Sequence, residues 1–84
     1  MHVEFLGIPR ERAGVAEVEI EAGTFGQLLG TLVSRFPALR ELVTERGLHS
    51  SIAANLNGDE FVSDPNRILA ANDRVILLSA DAGG

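Results

Sequence analysis

One stretch constrains the fold more than any other: "GTFGQLLGTLVSRFPAL". Phe25, Leu28, Leu29, Leu32, Val33 and Phe36 recur at helical spacing and make a wide apolar stripe. Thr24 is placed to cap the start, with Gln27 at the capping-box position three residues on. Pro37 stops the helix. So broad a stripe must be covered, and the remaining apolar segments alternate like strands, so the cover is a sheet. Gly26 and Gly30 lie one turn apart inside the helix, each costing about 1 kcal/mol relative to alanine. Close approach of the helix backbone to the sheet is the expected reason, not a ligand.

The segment His2 to Gly7 alternates, with Val3 and Phe5 on one face and His2, Glu4 and Leu6 on the other. "IPRERAG" reads as a polar turn bracketed by Pro9 and Gly14. In "VAEVEIE", Val18 and Ile20 oppose Glu17, Glu19 and Glu21, so the two segments are expected to pair as an antiparallel hairpin. "ALRELVTERG" is expected to form a short second helix closed by Gly47. Ile52, Ala54 and Leu56 alternate up to Asn57-Gly58, a strong hairpin turn signal. "DPNRILAAND" reads as a turn with a helical fragment, Ile68 and Leu69 plugging the core edge. "RVILLS" holds four consecutive apolar residues, Val75 to Leu78, which suit a central strand or one covered on both faces.

Strand, strand, helix, then strands predicts an α+β fold of the β-grasp, ubiquitin-like kind, with a mixed sheet of about five strands and one main helix on one face. The expected boundaries are a domain over residues 1–79 and a flexible tail over residues 80–84. At 84 residues, one domain is the expected count, too small for a deep cleft between lobes. The absence of cysteine excludes disulfides, thiolate metal sites and a thiol nucleophile on this chain. His2 and His49 lie far apart in sequence, so no metal site is expected. No acid/base pair stands at a convincing spacing, so the chain alone is not expected to be an enzyme. A formal net charge of −5 disfavours nucleic acid and anionic membrane as partners and suits a basic protein. With neither a bilayer-spanning stretch nor a signal-peptide pattern, the reading is cytoplasmic. All seven basic residues are arginine. Codon usage in a GC-rich genome is the favoured explanation. The functional alternative is that no ε-amine is left to react with an activated chain end.

The chain closes on "SADAGG" after the last strand. Beyond alanine it has no apolar anchor, so it should project from the sheet. Gly83 and Gly84 lack Cβ atoms and can thread a narrow channel. The Gly84 carboxylate is unhindered, and its Cα is achiral, so activation carries no racemisation risk. ATP could convert it to an acyl-adenylate, which a sulfur or nitrogen nucleophile could then take. Both steps need another protein, because the chain has neither a phosphate-binding glycine loop nor a thiol.

"HVEFLGIPRERAG", "LLGTLVSRFPALRELV", "NLNGDEFV" and "NDRVILLSADAGG" together resemble the MoaD/ThiS family of ubiquitin-like sulfur carriers, over essentially the whole chain. The length and "RFPALRELV" are more similar to the molybdopterin synthase small subunit than to the thiamin carrier. The resemblance implies that an E1-like enzyme (MoeB/ThiF type) adenylates Gly84 with ATP. A cysteine desulfurase or rhodanese-type sulfurtransferase then yields a C-terminal thiocarboxylate. The tail, Gly83 included, then enters the large synthase subunit (MoaE type), where the sulfur helps form the molybdopterin dithiolene. No cofactor is implied as permanently bound. The family's docking patch falls on Leu6, Phe61 and Leu78. Leu6 and Leu78 are out of phase with their inward neighbours, so docking is favoured over mere cover for the sheet edge. Arg10 and Glu11 match the family's "RE", as a surface pair or a partner contact. Ala82 and Asp81 would line the partner's channel. Asp81 departs from the family's small or apolar residues there, which leaves the acceptor open. The rivals are a carrier serving thiamin, tRNA thiolation or cysteine, a modifier forming isopeptide bonds, and a β-grasp interaction module with an idle tail.

Overall fold

The alternation of Val3 and Phe5 with His2 and Glu4 becomes strand β1 (His2–Phe5), its two apolar side chains wholly buried. The computed structural model describes residues 1–80. β1 pairs antiparallel with β2 (Glu17–Glu19), as the hairpin reading required. The connection differs from the expected turn: it is a short helix, α1 (Ile8–Ala13). Pro9 sits in its first turn, where a missing N–H costs nothing, and is buried. Gly14 ends it in a left-handed conformation, donating its N–H to Arg10 O. Proline and glycine at those positions punctuate a turn and a one-and-a-half-turn helix alike. Packing of α1 against the sheet decides between them.

The apolar stripe forms α2 (Phe25–Arg35). Thr24 Oγ1 accepts the Gln27 N–H at 3.2 Å, and Gln27 Oε1 accepts the Thr24 N–H at 3.2 Å, so glutamine completes the capping box. Phe25, Leu28, Leu29 and Leu32 are fully buried. Val33 and Phe36 are half-buried, and Phe36 meets Phe5 edge to face with ring centroids 5.7 Å apart. Four such side chains contribute roughly 1.5–3 kcal/mol each. That outweighs the roughly 2 kcal/mol that two internal glycines cost.

Beyond Pro37 the expected second helix is absent. Pro37–Glu41 makes a 3₁₀ helix, then β3 (Val43–Thr44) and β4 (Gly47–Leu48) form a small antiparallel hairpin. Gly47 is therefore a strand residue opposite Thr44 and not a helix cap. Val43 and Thr44 are β-branched, and burial of Leu39, Leu42 and Val43 favours the extended path. Gly26 is close-packed as expected, but not against the sheet. A Cβ there would lie 2.8 Å from Glu45 O and 3.1 Å from Pro65 O, both in loops.

β5 (Ile52–Leu56) and β6 (Glu60–Phe61) are joined by the Asn57-Gly58 turn, with φ of 59° and 70°. The next segment holds no helix. Asp64 Oδ1 takes the Asn66 N–H and Asp73 Oδ2 takes the Ala70 N–H, so side chains compete for the donors that a helix needs. The segment instead bridges the start of α2 in extended form: Phe25 N–H donates to Arg67 O and Leu69 N–H to Gly23 O. Adjacent residues of an extended segment face opposite ways, so Leu69 is buried while Ile68 is 78% exposed. Ile68 does not plug the core.

β7 (Arg74–Ser79) completes a five-stranded sheet of order β2-β1-β7-β5-β6. β7 runs parallel to β1 and antiparallel to β5. Its central place accounts for the unbroken apolar run. Val75 and Leu77 are fully buried on the inner face, and Ile76 and Leu78 are half-buried on the outer one.

Candidate functional site: the outer sheet face and the end of the central strand

Strand register aligns the outer face. Glu17, Glu4, Ile76, Asn55 and Phe61 form one row across β2, β1, β7, β5 and β6. Leu78 lies beside Ala53 in the next outer row, and Leu6 follows β1, its N–H donating to Leu77 O at 2.9 Å. The expected docking residues thus share one face. Leu6 is 44% and Phe61 69% exposed, and Leu78 is half-buried. Ile76 joins them, a residue the sequence reading missed. Its signal was there, two positions before Leu78 in the same run. Asn55 stands between Ile76 and Phe61, and its buried Oδ1 has no hydrogen-bond partner among the described residues.

The β2 side of this face is charged. His2 Nδ1 lies 2.8 Å from Glu19 Oε1, and Nε2 lies 3.4 Å from Glu17 and 3.5 Å from Glu4. The hydrogen bond to Glu19 raises the His2 pKa, and the charges of Glu17, Glu19 and Glu4 add to that effect against desolvation. Arg74 binds Glu4, which holds the Glu4 carboxyl below its ordinary value. His2, Glu4 and Glu17 bring ligand-type atoms within 4.8 Å of one another, a grouping that sequence distance concealed. Arg74 and the Met1 ammonium, 3.9 Å from Glu19, already offset its negative charge.

The turn after β5 and the start of β7 interlock. Asn57 Oδ1 accepts the Arg74 N–H at 2.8 Å, and Asn57 Nδ2 donates to Asp73 Oδ1 at 3.0 Å. The Ala70 N–H and then Asn57 hold the Asp73 carboxyl below its ordinary value. On α1, Arg10 and Glu11 are both exposed, and the ion pair runs from Arg12 to Glu41 at 3.3 Å. An open groove runs along α2, lined by Gly26 and Gly30 with Thr24, Gln27, Ser34 and Asn66. Among the described residues that line it, Glu45 is the one carboxylate, and there is no histidine, lysine or arginine.

β7 ends where the C-terminal segment starts. Ala80 N–H donates to Ser51 O at 2.7 Å. Asp81, Ala82, Gly83 and Gly84 lie outside the described residues. Residues 3–84 match the ThiS family. The chain belongs to the ThiS family. Its mixed five-stranded sheet with one main helix is the β-grasp, ubiquitin-like fold of these sulfur carriers. It is similar to SAMP1 from Haloferax volcanii, with 27% identity, TM-score 0.79, and 99% and 97% of the two chains covered. It is equally similar to a chain of the BexX/CysO complex from Amycolatopsis orientalis, with 28% identity, TM-score 0.79, and 99% and 98% covered. A putative molybdopterin converting factor subunit 1 from Pyrococcus furiosus gives 25% identity, TM-score 0.78, and 93% of each chain covered. No curated protein sequence matches it. Small carriers of the ThiS/MoaD type are non-catalytic partners of enzymes. Among the described residues, no helix is long and apolar enough to cross a membrane.

Proposed function

We propose that this ThiS-family chain carries sulfur on its C-terminal glycine. The Gly84 carboxylate attacks the α-phosphorus of ATP in an E1-like partner, releasing pyrophosphate and forming an acyl-adenylate. The terminal sulfur of a persulfide on a sulfurtransferase or cysteine desulfurase attacks the acyl-adenylate and displaces AMP, and a thiol then cleaves the acyl disulfide, leaving the thiocarboxylate and a disulfide on the donor. Its anionic sulfur is the nucleophile delivered to the acceptor, and hydrolysis restores the carboxylate. The match of residues 3–84 to the family, which takes in the Gly-Gly end, carries the reading. Gly83 and Gly84 thread the active site, Ala82 and Asp81 line its entrance, and Leu6, Ile76, Leu78 and Phe61 dock the sheet face. The function is cytoplasmic.

The acceptor proposed first is the molybdopterin precursor, with this chain as the small subunit of the synthase beside a MoaE-type large subunit. Similarity to molybdopterin converting factor subunit 1 supports it. Two other pathways are favoured by specific likenesses. Similarity to CysO, solved in a complex with BexX, supports sulfur delivery elsewhere. Similarity to a small archaeal modifier protein supports transfer of the activated glycine to amines on target proteins.

Intact mass tests the reading, after incubation with ATP, an E1-like enzyme and a sulfur source. The expected result is exchange of one oxygen for sulfur, localised to Gly84. Unchanged mass beside an enzyme that activates its own carrier would refute it. Deleting Gly84 should abolish activation and leave the thermal transition in place.

A further inference from the structure

A chain end that must enter another protein's active site benefits from a fixed point of departure. We propose that Ser79 is the positioning residue that fixes it: by capping α1 from across the sheet, Ser79 clamps the root of the C-terminal segment. Its functional meaning rests on the carrier reading, whereas the clamp itself does not.

Gly7 occupies the N-cap of α1 and has no side chain with which to cap it. The missing acceptor comes from 71 residues away, where Ser79 Oγ accepts the Ile8 N–H at 2.9 Å. Gly7 and Ser79 are matched in shape. Gly7 has φ of 64°, and a Cβ on it would lie 2.4 Å from Ser79 Oγ. A small residue with an acceptor is therefore needed at 79, and a residue without a side chain at 7.

The bond stands where the sheet runs out. The parallel ladder of β1 and β7 ends at Phe5 opposite Leu77, and Leu6 N–H adds one bond to Leu77 O. Two residues on, the Ser79 hydroxyl replaces the ladder on that side. On the other side Ser79 faces Ile52, and Ala80 N–H donates to Ser51 O at 2.7 Å. The end of β7 is held from both flanks as far as Ala80.

An adenylating partner that covers the sheet face and also takes the chain end gains from this, because part of the ordering is done before binding. Releasing the root returns the freedom of about one residue, which corresponds to roughly five- to thirtyfold in apparent affinity. The carboxylate chemistry is untouched once the glycines are seated. The clamp therefore acts on KM for the carrier and not on kcat.

The test compares the full chain with Ser79→Ala and Ser79→Thr. Amide hydrogen exchange is read at Ile8 and Ala80, and ATP–pyrophosphate exchange with an E1-like enzyme gives KM and kcat. Ser79→Ala should speed exchange at both amides and raise KM about five- to thirtyfold, with kcat within about twofold. Ser79→Thr, which keeps the hydroxyl, should restore both. Wild-type exchange at Ala80, or wild-type KM beside a lowered melting temperature, would reduce Ser79 to a structural cap and overturn the proposal. Should Ser79→Ala fail to fold, Ser79→Cys keeps the volume with a weaker acceptor and must show the same shifts in smaller measure. A wild-type chain that no adenylating enzyme accepts would refute the carrier reading, and the exchange measurement would still decide the clamp.

Discussion

The same substitution should act in opposite directions at two glycines one turn apart. At Gly30 an added Cβ meets Glu45 Cβ at 3.7 Å, an ordinary contact. Gly30→Ala then gains helix propensity and a less flexible unfolded chain, and should stabilise by about 0.5–1 kcal/mol. At Gly26 the added Cβ meets Glu45 O at 2.8 Å and Pro65 O at 3.1 Å. Gly26 also donates its N–H to Pro65 O at 2.9 Å, so the helix cannot retreat without stretching that bond. Overpacking of this kind costs roughly 1–3 kcal/mol, which exceeds the propensity gain, so Gly26→Ala should destabilise by about 0.5–2 kcal/mol. For a chain of this length each kcal/mol moves the melting temperature by about 4–8 °C. Thermal unfolding followed by circular dichroism should show the two variants on opposite sides of wild type. A stabilised Gly26→Ala would refute the claim that the β3–β4 turn and the Pro65 loop press on the α2 backbone.

Leu78→Asp should weaken binding to an adenylating partner at least tenfold, with a smaller effect on the monomer, because Leu78 is half-buried on the outer face. Isothermal titration and thermal melts separate the two effects, and a collapsed monomer would move Leu78 into the core. The His2 pKa is raised, so the stability it contributes is present in full below its ordinary 6.5 and disappears as pH rises through the folded value. Denaturant melts of His2→Gln should lose that pH dependence. The Asp73 pKa is lowered, so its contribution is present above the ordinary 3.8 and fades as pH falls through the folded value. Asp73→Asn should flatten the acid limb of the stability curve. Leu32→Ala, in the middle of the buried stripe, should cost about 2–5 kcal/mol and abolish the cooperative melt or lower it sharply.

The long periodic segments were legible because their burial pattern is written in the residues themselves. The stripe of α2, the alternation of β1 and β5 and the central character of β7 all survive in the structure. What misled was local ambiguity resolved by distant packing. "IPRERAG" becomes helical only because Pro9 finds a place under the sheet. "ALRELVTERG" has helical propensity, yet burial of Leu42 and Val43 draws it into a hairpin. Ile68 and Leu69 look equivalent until pairing with residues 23–25 sends them to opposite sides. At the candidate site, phase alone placed Leu6 and Leu78 on the outer face. Ile76 was legible by the same phase, two positions before Leu78, whereas the Asn55 Oδ1 environment and the Ser79–Ile8 bond depend on which strands adjoin, and no spacing within one segment carries that information.

The parallel pairing of β1 with β7 also orders events during synthesis. β7 is the middle strand of the sheet and the last of its strands to leave the ribosome. Until Arg74–Ser79 emerges, the β1–β2 and β5–β6 hairpins have no common neighbour, and the cover over α2 stays split in two. Ile76 and Leu78, at the heart of the outer face, belong to that same late strand. A protein that recognises this face therefore meets it only on chains translated through Ser79. A product that stops before this strand lacks Ile76 and Leu78, and with them the centre of the outer face.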